Sequence, residues 1–223
     1  MTVTFIDFKY TSFKQPVSGF VLTSGTKGPV YGAGPGPYPP SINWTGIQNG
    51  TVDDSFLTLS GFPFTFRFAG TGYTTVFIGS NSYLTYGAGS SIFNVLSASN
   101  PAVNKIFIGS ADNSYQRVSH YISGDYVRIR YEGNGSTSGT VGNPGIVYEV
   151  THFNPDLTGG NNVVEILVGK HNRTGGLFGA ANATSYISTT PTISANQSYV
   201  LVGNDTGTNF TIYSGHYMSG TDY

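Results

Sequence analysis

The stretch FPFTFRF places phenylalanine at positions 62, 64, 66 and 68. Side chains of an extended chain alternate between two faces, so all four rings fall on one side and Pro63, Thr65 and Arg67 on the other. A face that aromatic belongs to a core, and Arg67 then lies on the solvent side. The alternation recurs along the chain. No segment of about 11 residues or more carries a helical stripe free of Gly, Pro and β-branched breakers. Strands are expected at 2–10, 18–23, 55–60, 62–68, 73–79, 82–87, 104–109, 116–122, 125–132, 145–153, 162–170, 198–203 and 209–214.

Turn chemistry separates these runs. Gly70–Gly72, Gly79–Asn81, Ser123–Asp125, Gly133–Gly135, Gly159–Asn161 and Gly175–Gly176 supply residues that tolerate positive φ. Short strands at such spacing predict an all-β fold, an antiparallel β-sandwich of jelly-roll-like type. One region breaks the pattern. GPVYGAGPGPYPPS, Gly28–Ser41, is rich in proline, which fixes φ and removes a ladder donor, so residues 1–41 read as N-terminal strands and an extended arm. The sandwich domain is expected over 42–223, with the arm packed on it or on a neighbouring subunit.

Composition narrows the function classes. Charged residues are 9% of the chain and the formal net charge is −1, while there are 31 glycines, 16 tyrosines and 15 phenylalanines. With so little field and the basic residues scattered, nucleic acid is not an expected partner. The start MTVTFIDFKY alternates and carries acid, unlike a secretory signal, and no apolar run of about 18 residues predicts membrane insertion. The absence of cysteine excludes disulfides and thiolate metal sites. A surface solvated by Ser, Thr, Asn and Tyr rather than ions suits an extracellular particle released by lysis.

Several runs carry a family resemblance. FPFTFRFAGTGYTTVFIGSNSYLTYGAGSS, NPAVNKIFIGSADNSYQRV, GDYVRIRYEG, GIVYEVTHF and NNVVEILVG, spanning residues 62–170, resemble a domain of virion structural and tail-fibre proteins of tailed phages infecting marine cyanobacteria and similar hosts. They are more distantly similar to bacterial extracellular β-sandwich modules. The resemblance implies a non-enzymatic virion component, part of a tail, fibre or capsid decoration. Its partners would be other virion proteins and copies of itself, with a host surface glycan as a further contact. It implies no cofactor and transfers no site residues.

Residue chemistry leaves alternatives open. If Phe153 stands opposite Val163, then Thr151 faces Glu165 and Glu149 faces Leu167, and the two glutamates become diagonal neighbours about 7–8 Å apart. That spacing is compatible with the carboxylate pair of a polysaccharide hydrolase. The simpler reading puts Glu149, Glu165, Arg128 and Arg130 on a solvent face as cross-strand ion pairs worth about 0.2–1 kcal/mol each. His120, His152, His171 and His216 show no metal-binding spacing. The loop Asn154–Asn162 is rich in oxygen but lacks the acids of a calcium loop.

For ligand or subunit contacts the candidates are Trp44 in SINWTG and Tyr115 in SADNSYQR with Asp112, Asn113 and Gln116. An exposed ring beside amides and carboxylates suits either a pyranose face or an interface anchor. A carbohydrate-binding adhesin module and a self-assembling filament subunit, donating its N-terminal strand or arm to the next copy, are therefore the alternatives.

Overall fold

The computed structural model describes residues 2–6, 13–14, 20–23, 45–92, 104–134, 145–172, 177–182, 186–188, 194–195, 197–214 and 216–219. The arm 28–41 and Trp44 lie outside them. The strands of the N-terminal half are β1 (Thr2–Ile6), β2 (Phe13–Lys14), β3 (Phe20–Thr23), β4 (Thr45–Val52), β5 (Phe56–Ser60), β6 (Phe66–Phe68), β7 (Thr71–Tyr73), β8 (Thr75–Gly79), β9 (Tyr83–Tyr86) and β10 (Asn104–Ser110). Those that follow are β11 (Ser114–Ile122), β12 (Tyr126–Asn134), β13 (Ile146–Phe153), β14 (Asn162–His171), β15 (Leu177–Ala181), β16 (Tyr186–Ser188), β17 (Gln197–Gly203), β18 (Asn209–Ser214) and β19 (His216–Ser219). A single 3-10 turn, Pro155–Leu157, is the only helical element among the described residues, and no helix there is long and apolar enough to cross a membrane.

Two sheets carry the fold. The larger has eight strands in the order β1-β18-β17-β14-β13-β12-β11-β4, and the smaller has six, β16-β15-β10-β9-β8-β5. Their facing side chains merge into one core: Val76, Ile78, Leu84 and Ile106 from the smaller sheet meet Ile129, Val150, Ile166 and Leu201 from the larger. The molecule is thus an antiparallel β-sandwich. Its connections are largely meanders, β8–β9–β10 and β11–β12–β13–β14, and the Greek keys of a jelly roll are not seen among the described strands. Beside the sandwich, β3 is paired by β2 and β19, and β19 packs against β17. The N-terminal strand β1 pairs in parallel with β18 of its own chain, Thr2 opposite Asn209.

The phenylalanine ladder lies where its alternation predicts. Phe62, Phe64, Phe66 and Phe68 are buried while Pro63, Thr65 and Arg67 are exposed. Only Phe66–Phe68 pairs as a strand, because Pro63 offers no N–H to a ladder. The segment acts as a strap across the open end of the sandwich. Phe66 and Phe68 stack on Tyr86 of the smaller sheet, with centroids 5.4 and 5.0 Å away. On the other side Phe66 meets His152 at 4.9 Å and Phe68 meets Phe210 at 5.2 Å, both on the larger sheet.

The turn between β8 and β9 is buried, which is unusual for a hairpin. Ser80, Asn81 and Ser82 have no exposed surface, so each polar atom there needs a partner within the protein. Asn81 Oδ1 accepts from the Asn113 amide at 2.8 Å, its Nδ2 donates to Asp54 Oδ1 at 3.1 Å and to the Ile92 carbonyl at 3.3 Å, and its carbonyl accepts from Ser110 Oγ at 2.8 Å. Ser82 Oγ accepts from Asn113 Nδ2 at 2.9 Å, and the Tyr131 hydroxyl reaches the Ser80 carbonyl from the larger sheet. Gly79 has to be glycine, because a Cβ would sit 2.4 Å from the Tyr83 ring.

Removing the Asn81 side chain leaves at least one buried donor unpaired, and each such group costs about 1–3 kcal/mol. We expect Asn81→Ala to lower the urea midpoint accordingly, with the exposed Thr51→Ala as a control that changes stability by no more than about 0.5 kcal/mol.

Candidate functional site

The two glutamates fall in the expected register. Thr151 pairs with Glu165 and Glu149 with Leu167. Their environment is the reverse of the expected one, for both are fully buried, and Arg128, Arg130 and Glu132 are buried beside them. The central strands of the larger sheet are therefore covered on both faces. On the face away from the core, the apolar side chains of Phe153, Val163 and Val200 form a second cluster beside these charges.

The charges neutralise one another across strands. Arg117 Nη2 contacts Glu132 Oε2 at 2.6 Å, Arg130 Nε reaches Glu132 Oε1 at 3.0 Å, and Arg130 Nη1 reaches Glu149 Oε1 at 3.0 Å. Arg128 Nε donates to Thr151 Oγ1 at 3.0 Å. This relay runs from an exposed end at Arg117 to an enclosed end at Glu149 and fixes the pairing of β11, β12 and β13. A polymer chain cannot reach the glutamates, so the geometry gives no support to a hydrolase centre built on them.

The sequence-derived contact residues also separate. β11 starts at Ser114, and a bulge at Gln116 turns Tyr115 toward the core. Tyr115 is fully buried, edge-on to Tyr131 at 5.7 Å, and its hydroxyl pKa is pushed up to about 12 by burial. It is not a stacking platform. Asn113 and Gln116 are buried as well, and Asn113 belongs to the network around Asn81. Asp112 remains exposed, where its carboxylate lies within 4.8 Å of those of Asp53 and Asp54.

Two of the histidines make contacts to tyrosine hydroxyls within the fold. His152 is enclosed between Phe62, Phe66 and Tyr86, and its Nε2 lies 2.7 Å from the Tyr86 hydroxyl. His171 Nδ1 lies 2.7 Å from the Tyr148 hydroxyl. Burial drives the His152 pKa down to about 3. The unfolded imidazole takes up its proton near 6.5 and the folded one does not, so stability is fully present above pH 6.5 and declines as pH falls toward 3.

The described surface contains a half-open concavity that the sequence did not mark. A cleft of about 540 Å³ lies between the phenylalanine strap, the turn Asn154–Asn162 and the turn between β17 and β18. Its lining includes Pro63, Thr65, Arg67, Pro155, Asp156, Asp205 and Thr206. Asn162, fully buried, ties the three walls together: its Oδ1 accepts from the Arg67 amide at 2.6 Å, and its Nδ2 donates to the carbonyls of Asn204 at 2.7 Å and Asp205 at 3.2 Å. The Ala69 amide donates to the Gly207 carbonyl at 2.7 Å and Gly70 to Thr206 at 2.8 Å. At Gly207, φ is +63° and a Cβ would stand 2.1 Å from the Arg67 carbonyl oxygen, so only glycine lets the strap approach. The oxygen-rich turn expected at 154–162 is present, with Asn154 Oδ1 accepting from the Asp156 amide at 3.0 Å.

Two outcomes follow. Because Glu149 is enclosed, Arg130→Ala takes a cationic partner from a buried carboxylate and is expected to cost about 3–5 kcal/mol in chemical denaturation, well above the cost of an exposed pair. Between pH 6.5 and 5, above the main carboxylate titrations, the unfolding free energy should fall by up to about 1.4 kcal/mol per pH unit, and the pair Tyr86→Phe with His152→Phe should flatten that slope. The chain matches no protein-family model, and no curated protein or solved structure matches it significantly.

Proposed function

We propose that this protein is a non-enzymatic structural subunit of a phage particle, a component of a tail, fibre or capsid decoration that assembles with copies of itself. The resemblance of residues 62–170 supplies the particle. The observation that supports self-assembly is the outer edge of the smaller sheet. β5 is its last strand, and among the described residues nothing pairs with its far side. Soluble proteins protect such edges with lysine, proline or a bulge. The strand FLTLS has none of these, and its Phe56 is the large hydrophobic residue left exposed, at 41%, among those described. An uncharged strand with an exposed ring at its start is suited to pair with the same strand of another copy, where backbone hydrogen bonds supply affinity and side chains set the register.

The inward turn of the charges is consistent with a mechanical role. Arg130, Glu132 and Glu149 hold strands rather than contact solutes. Purified full-length protein should scatter light as a discrete oligomer whose mass persists on dilution to low micromolar concentration. Thr58→Lys and Phe56→Asp, each placing a charge on the exposed side of β5, should shift it to monomer. A monomer at every concentration would remove the self-assembly reading.

A further inference from the structure

We propose that the cleft between the phenylalanine strap and the two neighbouring turns binds a short neutral saccharide. The proposal stands apart from the particle assignment and needs no second copy of the chain. Its volume of about 540 Å³ falls within the range of small-molecule sites, roughly 300–1,000 Å³. The chemistry of the lining decides the ligand class. Arg67 offers a planar fork of donors, and Asp156 and Asp205 offer acceptors only. None of these three exposed groups has an ion-pair partner among the described residues. A ligand that satisfies both kinds of group must donate and accept from neighbouring positions, which is what vicinal hydroxyls do.

Charge excludes the obvious competitors. Two carboxylates against one guanidinium repel a phosphate or uronate, while the guanidinium in the same space opposes a simple cation. The rings of Pro63 and Pro155 add apolar surface without hydrogen-bonding groups of their own, suited to the C–H face of a pyranose. Preorganisation completes the case. The bonds of Asn162 and the contacts of Ala69 and Gly70 hold the walls in place before any ligand arrives, so binding need not order them.

The test is an array of neutral and uronate-containing oligosaccharides probed with full-length protein, followed by amide-shift titration with the neutral oligosaccharide retained most strongly. We expect retention of a neutral saccharide, shifts concentrated at residues 65–67, 156–160 and 205–207, and affinity weakened about tenfold or more by Arg67→Ala and by Asp205→Asn. Both residues are exposed, so thermal melts should show the variants folded, and Asp112→Asn should leave binding unchanged. Retention of uronates alone, no neutral saccharide retained, or affinity unaltered in both cleft variants would overturn the proposal.

Discussion

A hairpin turn with no contact with water must be satisfied by the protein that surrounds it, and the rest of this sandwich is arranged around that requirement. Ser80, Asn81 and Ser82 sit at the end of the smaller sheet, yet their partners come from elsewhere in the chain, among them Ser55 before β5, Ser110 in β10, Asn113 before β11 and Tyr131 in β12. The first two belong to the smaller sheet and its approaches, the last to the larger. The turn therefore sets how one sheet stands over the other at that end, while the phenylalanine strap does so through aromatic contacts around Tyr86 and His152. One contact set is directional and the other is not. Dispersion and burial bring the sheets together, and the hydrogen bonds of the turn select one alignment among those the apolar surfaces would accept.

The larger sheet solves a different problem. Its strands β12 and β13 are covered on both faces, a position usually filled by continuous apolar residues. Here one face keeps Arg128, Arg130, Glu132, Glu149 and Thr151. Such a face is tolerable only because each charge lies against an opposite charge or a hydroxyl, with the relay opening to water at Arg117, whose side chain is 48% exposed. Buried ion pairs add little net stability over well-packed apolar residues, but a one-residue slip of β12 against β13 would turn these charges to the core face, and a two-residue slip in one direction would set Glu132 opposite Glu149. The relay acts on register more than on total stability.

Much of this architecture was legible. Alternation located the core face of Phe62–Phe68 even where Pro63 prevents pairing, and the glutamate register followed from hairpin geometry. The misplacements have physical causes. RIRYE alternates charge with apolar residues as an amphipathic surface strand does, and nothing local reveals that its charged face is buried. Tyr115 stands before a predicted strand, but the Gln116 bulge extends that strand and reverses which side it faces. β4 (TGIQNGTV) and β15 (LFGAA) are rich in glycine, alanine and polar residues with weak β preference, and it is their neighbours in the sheet that make them strands. The cleft was invisible because its walls come from segments about 90 and 40 residues apart, joined by one asparagine.

The placement of charge links these observations. The chain has 10 basic and 11 acidic residues in 223, so each charge occupies a scarce position. Where a protein is this sparing, charges that merely keep it soluble are few, and hydroxyls and amides take over that task. Arg130, Glu132 and Glu149 are used internally to hold strands. Arg67, Asp156 and Asp205 line one cleft without pairing with one another, while Asn162 bonds the backbones of Arg67 and Asp205 and Asn154 accepts from the amide of Asp156. Their donors and acceptors face water from a hydrogen-bonded frame, and the proposed saccharide would exchange that water for its own hydroxyls.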